Sequence, residues 1–210
     1  MCCPRTECRR MMGQKSEEKR QFILKQAREV FAKKGYRAVT MKDIVDACGI
    51  SRGGLYLYFK STKEIFLALL KQEEEKAQNR FAEAVRDRTS SAEILVWYLS
   101  QQVEALFSEE DGLAAAGYEY AFSGGDVSDQ TARLDASIRS LEYLLKVGSR
   151  RGELVCTDPH DEARAICLAV EGMRILSHTG GIRREDAEHD LTYLLQRLQI
   201  SQGTAFDRKP

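Results

Sequence analysis

The stretch ISRGGLYLYFKSTKEIF, residues 50–66, concentrates side chains that suit a polyanion. Ser51 and Arg52 can donate to a phosphate or to a guanine edge, Tyr56 and Tyr58 carry hydroxyls on rigid arms, and Lys60 and Lys63 add positive charge. Gly53 and Gly54 remove bulk between them, so a backbone carrying this pair can approach a duplex closely. Each interior Gly weakens a helix by roughly 1 kcal/mol relative to Ala, which raises the question of what the pair is for. A second reading stays open: a Gly-Gly loop followed by the core aromatics Tyr56, Tyr58 and Phe59.

Other chemistry is poorly supplied. His160, His178 and His189 stand without a paired nucleophile, and neither a glycine-rich phosphate loop nor metal-ligand spacing occurs. Cys2, Cys3 and Cys8 are not followed by His or Cys at zinc-site spacing. Cys48, Cys156 and Cys167 sit in apolar company, where a thiol behaves as a small hydrophobe. No catalytic residue, metal or cofactor is expected.

The elements that would position the candidate residues are helical. Phe22, Ile23, Ala27, Val30 and Phe31 recur at helical spacing from about Glu17 to Lys34, with Ser16 as N-cap and Gly35 as stop. Thr40 opens a short second helix with Met41, Ile44, Val45 and Cys48 on one face, ended by Gly49. Ser51 caps a third, running to about Phe59, and Ser61 opens a fourth with Ile65, Phe66, Leu69 and Leu70 inward and an end near Arg86. A short helix, a tight turn at Gly49 and a second short helix make a helix-turn-helix, whose second helix enters the major groove of DNA. Leu55 and Phe59, one turn apart, would pin that helix to the first two.

Further helical patterns cover Ile94 to Phe107, residues 113–122, Thr131 to Arg151, Asp161 to His178 and Glu185 to Ile200, with no repeats and no alternating strand signal. None of the three prolines lies between residues 5 and 158, so long helices meet little obstruction. Apolar residues make up 43% and charged residues 30%, as in a soluble helical protein. No apolar run approaches the roughly 20 residues of a membrane span, and a cytoplasmic chain without membrane contact is expected. The net charge of zero hides an asymmetry: Met1 to Lys63 carries 15 Lys and Arg against 6 Asp and Glu, and the remainder 17 against 26. The basic third is the part expected to meet a polyanion.

The segment from Ile23 to Phe66 closely resembles the N-terminal domain of TetR-family transcriptional repressors. The matching residues are Phe31, Gly35 and Tyr36 closing helix one, Thr40 opening helix two, the Gly49-Ile50-Ser51 turn, Gly53, and the run Tyr56, Tyr58, Phe59, Lys60. The resemblance implies an all-α fold of about nine helices. Residues 15–63 would form a three-helix helix-turn-helix DNA-binding domain, and 64–210 a larger helical domain for ligand binding and dimerisation. Residues 1–14 would be a disordered leader, whose Cys-rich part would not exist if translation begins at Met11 or Met12. Carried over, the family pattern places Thr40 and Lys42 on phosphates, Ser51, Arg52, Gly53 and Gly54 toward bases, and Tyr56, Tyr58 and Lys60 on the backbone. The family usually has Lys three residues after the Phe; here Thr62 stands there, with Lys63 next.

The resemblance also implies a homodimer built from the last two helices, binding a near-palindromic double-stranded DNA operator and released by a small-molecule inducer that tilts helix four. Independently, Ile166, Val170 and Met173 mark one side of the penultimate helix while Leu168, Gly172 and Ile175 mark another, so one side can meet the core and the other a partner. Leu191, Leu194, Leu195 and Leu198 form a comparable stripe on the last helix. Candidate inducer contacts are Trp97, Tyr98, Phe107, Tyr118, Tyr120, Phe122, Tyr143 and His178, a supply suited to a flat or amphipathic apolar ligand. The alternatives are an activator using the same DNA-binding domain and a helical scaffold that binds no DNA.

Overall fold

The computed structural model describes residues 5–88, 90–108 and 112–200, with side chains from residue 14 onward except at 129. Every element among the described residues is a helix: α1 (Arg5–Ala38), α2 (Met41–Cys48), α3 (Arg52–Tyr56), α4 (Thr62–Asp87), α5 (Ser91–Leu106), α6 (Gly112–Phe122), α7 (Ser128–Arg150), α8 (Pro159–His178) and α9 (Arg184–Arg197). α1 begins well before the periodic pattern at Glu17, so residues 5–14 of the expected leader continue the helix. Residues 1–4, and the side chains of Cys2, Cys3, Cys8, Met11 and Met12, lie outside the described residues.

Local chemistry accounts for most boundaries. Ser51, Ser90 and Asp158 cap α3, α5 and α8 by accepting backbone N–H groups of the first turn. Gly49 adopts the left-handed conformation (φ 61°, ψ 33°), donates its N–H to the Asp46 carbonyl and turns the chain toward α3. α3 is shorter than expected, since its last helical residue is Tyr56 and Leu57 is the cap.

The chain forms two compact units. The first holds α1 to α3, α4 as far as Glu73 and, from farther along the chain, α6. Its core contains Ile23, Phe31, Ile44, Leu55, Phe59 and Phe66, all at most 1% exposed. Rings tie it together: Phe66 lies 4.9 Å from Phe31, 4.8 Å from Tyr36 and 5.7 Å from Tyr120 between centroids. α6 packs closely on α1, because a Cβ at Gly112 would overlap the Ala32 carbonyl. At Gly35 the backbone of α1 leaves helical geometry (φ 75°, ψ 169°), and the Glu119 carboxylate of α6 fills the space beside it and accepts the Arg37 N–H at 3.2 Å. The first unit therefore extends past the boundary expected at residue 63 and takes in α6, which the sequence places between two helices of the other unit.

The second unit contains the remainder of α4 with α5, α7, α8 and α9. Leu95, Leu99, Leu141, Leu145, Ile166 and Leu191 form its centre. No helix among the described residues is long and apolar enough to cross a membrane.

Candidate nucleic-acid interface

The first half of the interface is built by α2. Thr40 caps it through a reciprocal box: its Oγ1 accepts the Asp43 N–H at 3.3 Å, and Asp43 Oδ2 accepts the Thr40 N–H and hydroxyl, both at 2.8 Å. The Thr40 hydroxyl proton is thus already engaged by Asp43, whereas Lys42 beside it is exposed and makes no ion pair among the described residues.

Lys34 approaches Asp43 Oδ1 at 2.6 Å, and this bond, followed by those from Thr40, holds the Asp43 carboxyl well below the usual carboxylate range. A depressed folded-state value stabilises the fold fully above the unfolded value, near pH 4, and the contribution is lost as pH falls below it. The melting midpoint of Asp43→Asn is accordingly expected to lie below wild type at pH 6, with the gap shrinking progressively as pH falls from about 4 toward about 2. Parallel melting curves across that range would show that the carboxylate contributes nothing.

The second half is α3. Ser51 Oγ accepts the Gly54 N–H at 3.1 Å, which fixes the start of the helix. Leu55 and Phe59 are buried, so Arg52 and Gly53 face outward and are exposed, and Gly54 lies half-buried against Ser51. A Cβ at Gly53 would meet no atom within 4 Å, so nothing in the fold itself requires a glycine there. The Arg52 guanidinium lies 5.7 Å from the Tyr56 ring, an arrangement that holds its fork along the helix surface. Tyr56 and Tyr58 are half-buried, Lys60 is exposed, and Lys63 sits with Nζ 5.9 Å from the Tyr120 ring. From Cys48 to Lys63 the chain carries three cations and no carboxylate. The loop half of the expected alternative does not hold, since Gly53 and Gly54 lie within α3, whereas Phe59 is a core ring with Tyr58 packed against that core.

The candidate ligand residues are not gathered in one place. Tyr120 is a core ring of the first unit, 3% exposed and edge-on to Tyr36 at 4.9 Å. Tyr118 stacks on Phe122, itself 78% exposed, in that same unit. Trp97, Tyr98, Phe107, Tyr143 and His178 belong to the second unit. There Trp97 lies under Arg88, Phe107 under Arg184, and Tyr143 and His178 are exposed. Tyr98 packs edge-on to Phe81 at 6.0 Å, and burial pushes its hydroxyl up to about 12. A cavity of about 420 Å³ opens at the start of α8 instead, lined by Cys156, Asp158, Asp161, Glu162 and Arg197 among others, and none of the eight candidates lines it.

Exposure divides α8 into two sides. Ile166, Val170 and Met173 are buried, whereas Leu168 and Ile175 are 47% and 43% exposed and Gly172 is open. On α9 the leucine stripe points the other way: Leu191, Leu195 and Leu198 are buried in the second unit's own core, with Leu194 partly so. Leu176 and Tyr193 are exposed and were not among the expected surface residues. Leu57, also overlooked, is the most exposed large apolar side chain among the described residues. Its position off the Leu55 and Phe59 stripe is the signal that marks it.

A capped helix-turn-helix with an outward cationic face, on a chain whose described elements are all helices, marks a DNA-binding transcriptional regulator. Residues 23–69 match the family described as bacterial regulatory proteins, tetR family. The HTH-type transcriptional regulator YfiR of Bacillus subtilis is 34% identical over 154 residues, covering 68% of this chain and 72% of that protein. The HTH-type transcriptional regulator QacR of Staphylococcus aureus is 27% identical over 163 residues, 76% of this chain and 86% of its own length. A transcriptional regulator from Saccharomonospora viridis, solved in complex with choline, shares the fold with a TM-score of 0.76 at 21% identity, over 87% of this chain and 96% of that one. The chain belongs to the TetR family of transcriptional regulators.

Proposed function

We propose that the chain is a repressor that binds a near-palindromic operator as a homodimer and is released by a small aromatic or amphipathic ligand. The observation that carries this reading is the outward face of α3, with Arg52, Gly53 and Tyr56, and the turn after it, with Lys60, on a segment free of carboxylates. Ser51, Arg52, Gly53 and Gly54 would meet bases, and Lys42, Tyr56, Tyr58, Lys60 and Lys63 phosphates. Thr40 would join them only by exchanging its bond to Asp43.

The exposed side of α8, Leu168, Gly172, Ile175 and Leu176, supports self-association, with Tyr193 in place of the inward leucines of α9. Two recognition helices about one DNA turn apart, roughly 34–36 Å, would then span two half-sites. The second unit would take the ligand among Trp97, Tyr98 and Phe107; its acidic balance favours a cation, in keeping with the choline bound by the Saccharomonospora neighbour. α4 runs from the first unit into the second, so the chain itself links the two. A ligand that shifts α4 would change operator affinity.

Selection of bound duplexes from random DNA by the full-length protein tests the reading. A two-fold site with half-site centres about one turn apart is expected. No enriched sequence from a folded protein would overturn it.

A further inference from the structure

Leu55 and Phe59 are buried and hold α3 in place, but Leu57 between them is 82% exposed. Its N–H donates to the Gly53 carbonyl at 3.3 Å, which places it one helical turn after Gly53. A helical side chain leans toward the N-terminus, over the residue four positions back. At Gly53 that position is bare, so the isobutyl group has open surface to lie across. Arg52 and Tyr56 form a parallel pair one residue earlier, with the guanidinium over the ring. The outward face of α3 therefore has a polar track, Arg52 to Tyr56, beside an apolar one, Gly53 to Leu57.

The surroundings select the occupant of the apolar track. Arg52, Lys60 and Lys63 lie within a segment that has no carboxylate, which suits a polyanion and disfavours a cationic partner. On the base edges of the major groove the only apolar group is the C5-methyl of thymine. We infer that Leu57 reads a thymine methyl in each half-site, with Gly53 giving it the clearance to do so. Leu57 is thus a specificity residue, whereas a Lys on phosphate raises affinity for every sequence alike. The inference rests on the DNA-binding reading above.

The test uses the full-length protein and the operator obtained by selection, in which each thymine is replaced singly by deoxyuridine. This removes one methyl and leaves base pairing intact. Burying one methyl contributes about 0.8 kcal/mol, so wild type should lose about fourfold in affinity at one position of a half-site and about fifteenfold when both half-sites are changed. Leu57→Ala, whose exposed side chain leaves the melting midpoint unchanged, should bind thymine and uracil duplexes equally. Wild type that is indifferent to uracil at every position overturns the inference, as does a Leu57→Ala protein that keeps the full sensitivity. Both of those outcomes leave DNA binding itself standing. Wild type that selects no duplex at all overturns this inference together with the reading it rests on.

Discussion

A protein carrying Tyr56→Phe together with Lys60→Ala is expected to bind its operator about a thousandfold more weakly than wild type and to melt at the same temperature. Tyr56 would lose only its hydroxyl; the ring that lies beneath Arg52 stays. Lys60 is exposed, and the bond that its residue makes within the fold is from the backbone N–H to Glu64 Oε2 at 2.6 Å, which Ala preserves. Each lost phosphate contact removes about 1 kcal/mol, and two contacts in each of two half-sites sum to about 4 kcal/mol. The salt dependence should change as well: two fewer neutralised phosphates lower the slope of log affinity against log salt by about 2. Fluorescence anisotropy on the selected duplex at several salt concentrations reads both quantities. An unchanged slope would mean that Lys60 does not face the backbone, and a lowered melting midpoint would mean that the pair serves the fold.

The second large effect concerns stability. Phe66→Ala is expected to destabilise the first unit by about 3–5 kcal/mol, the range for emptying a buried aromatic site. Phe66 is fully buried at the start of α4, and its ring meets Phe31 and Tyr36 of α1 and Tyr120 of α6. No neighbour can easily collapse into the space, since Phe31 and Tyr120 are held by rings of their own. Hydrogen exchange should show the loss in the amides of α1 and α4 up to Glu73, while those around Leu95 and Leu141 in the second unit keep wild-type protection. A change below about 1 kcal/mol would show that the ring cluster is not what holds the first unit together. The function is linked to the same residue, because the cluster joins α6 to the helices that carry α3.

Much of this protein follows from short-range chemistry and is therefore written in the sequence. Thr40, Ser51 and Ser90 cap because their oxygens reach N–H groups three residues away, and Gly49 turns because it alone in that stretch accepts a positive φ without strain. The two sides of α8 follow from the 3.6-residue period, as do the burial of Leu55 and Phe59 and the outward position of Arg52. What only the tertiary structure decided depends on partners far along the chain. Tyr120 looks like any aromatic of the second half, yet it is a core ring beside Tyr36 because α6 packs on α1. The leucines of α9 have the spacing of an interface stripe, yet they are buried in the second unit's own core, where α9 packs on α5. Periodicity specifies that a helix has an apolar side; which neighbour covers that side, or whether one does, is set by the packing of the whole chain.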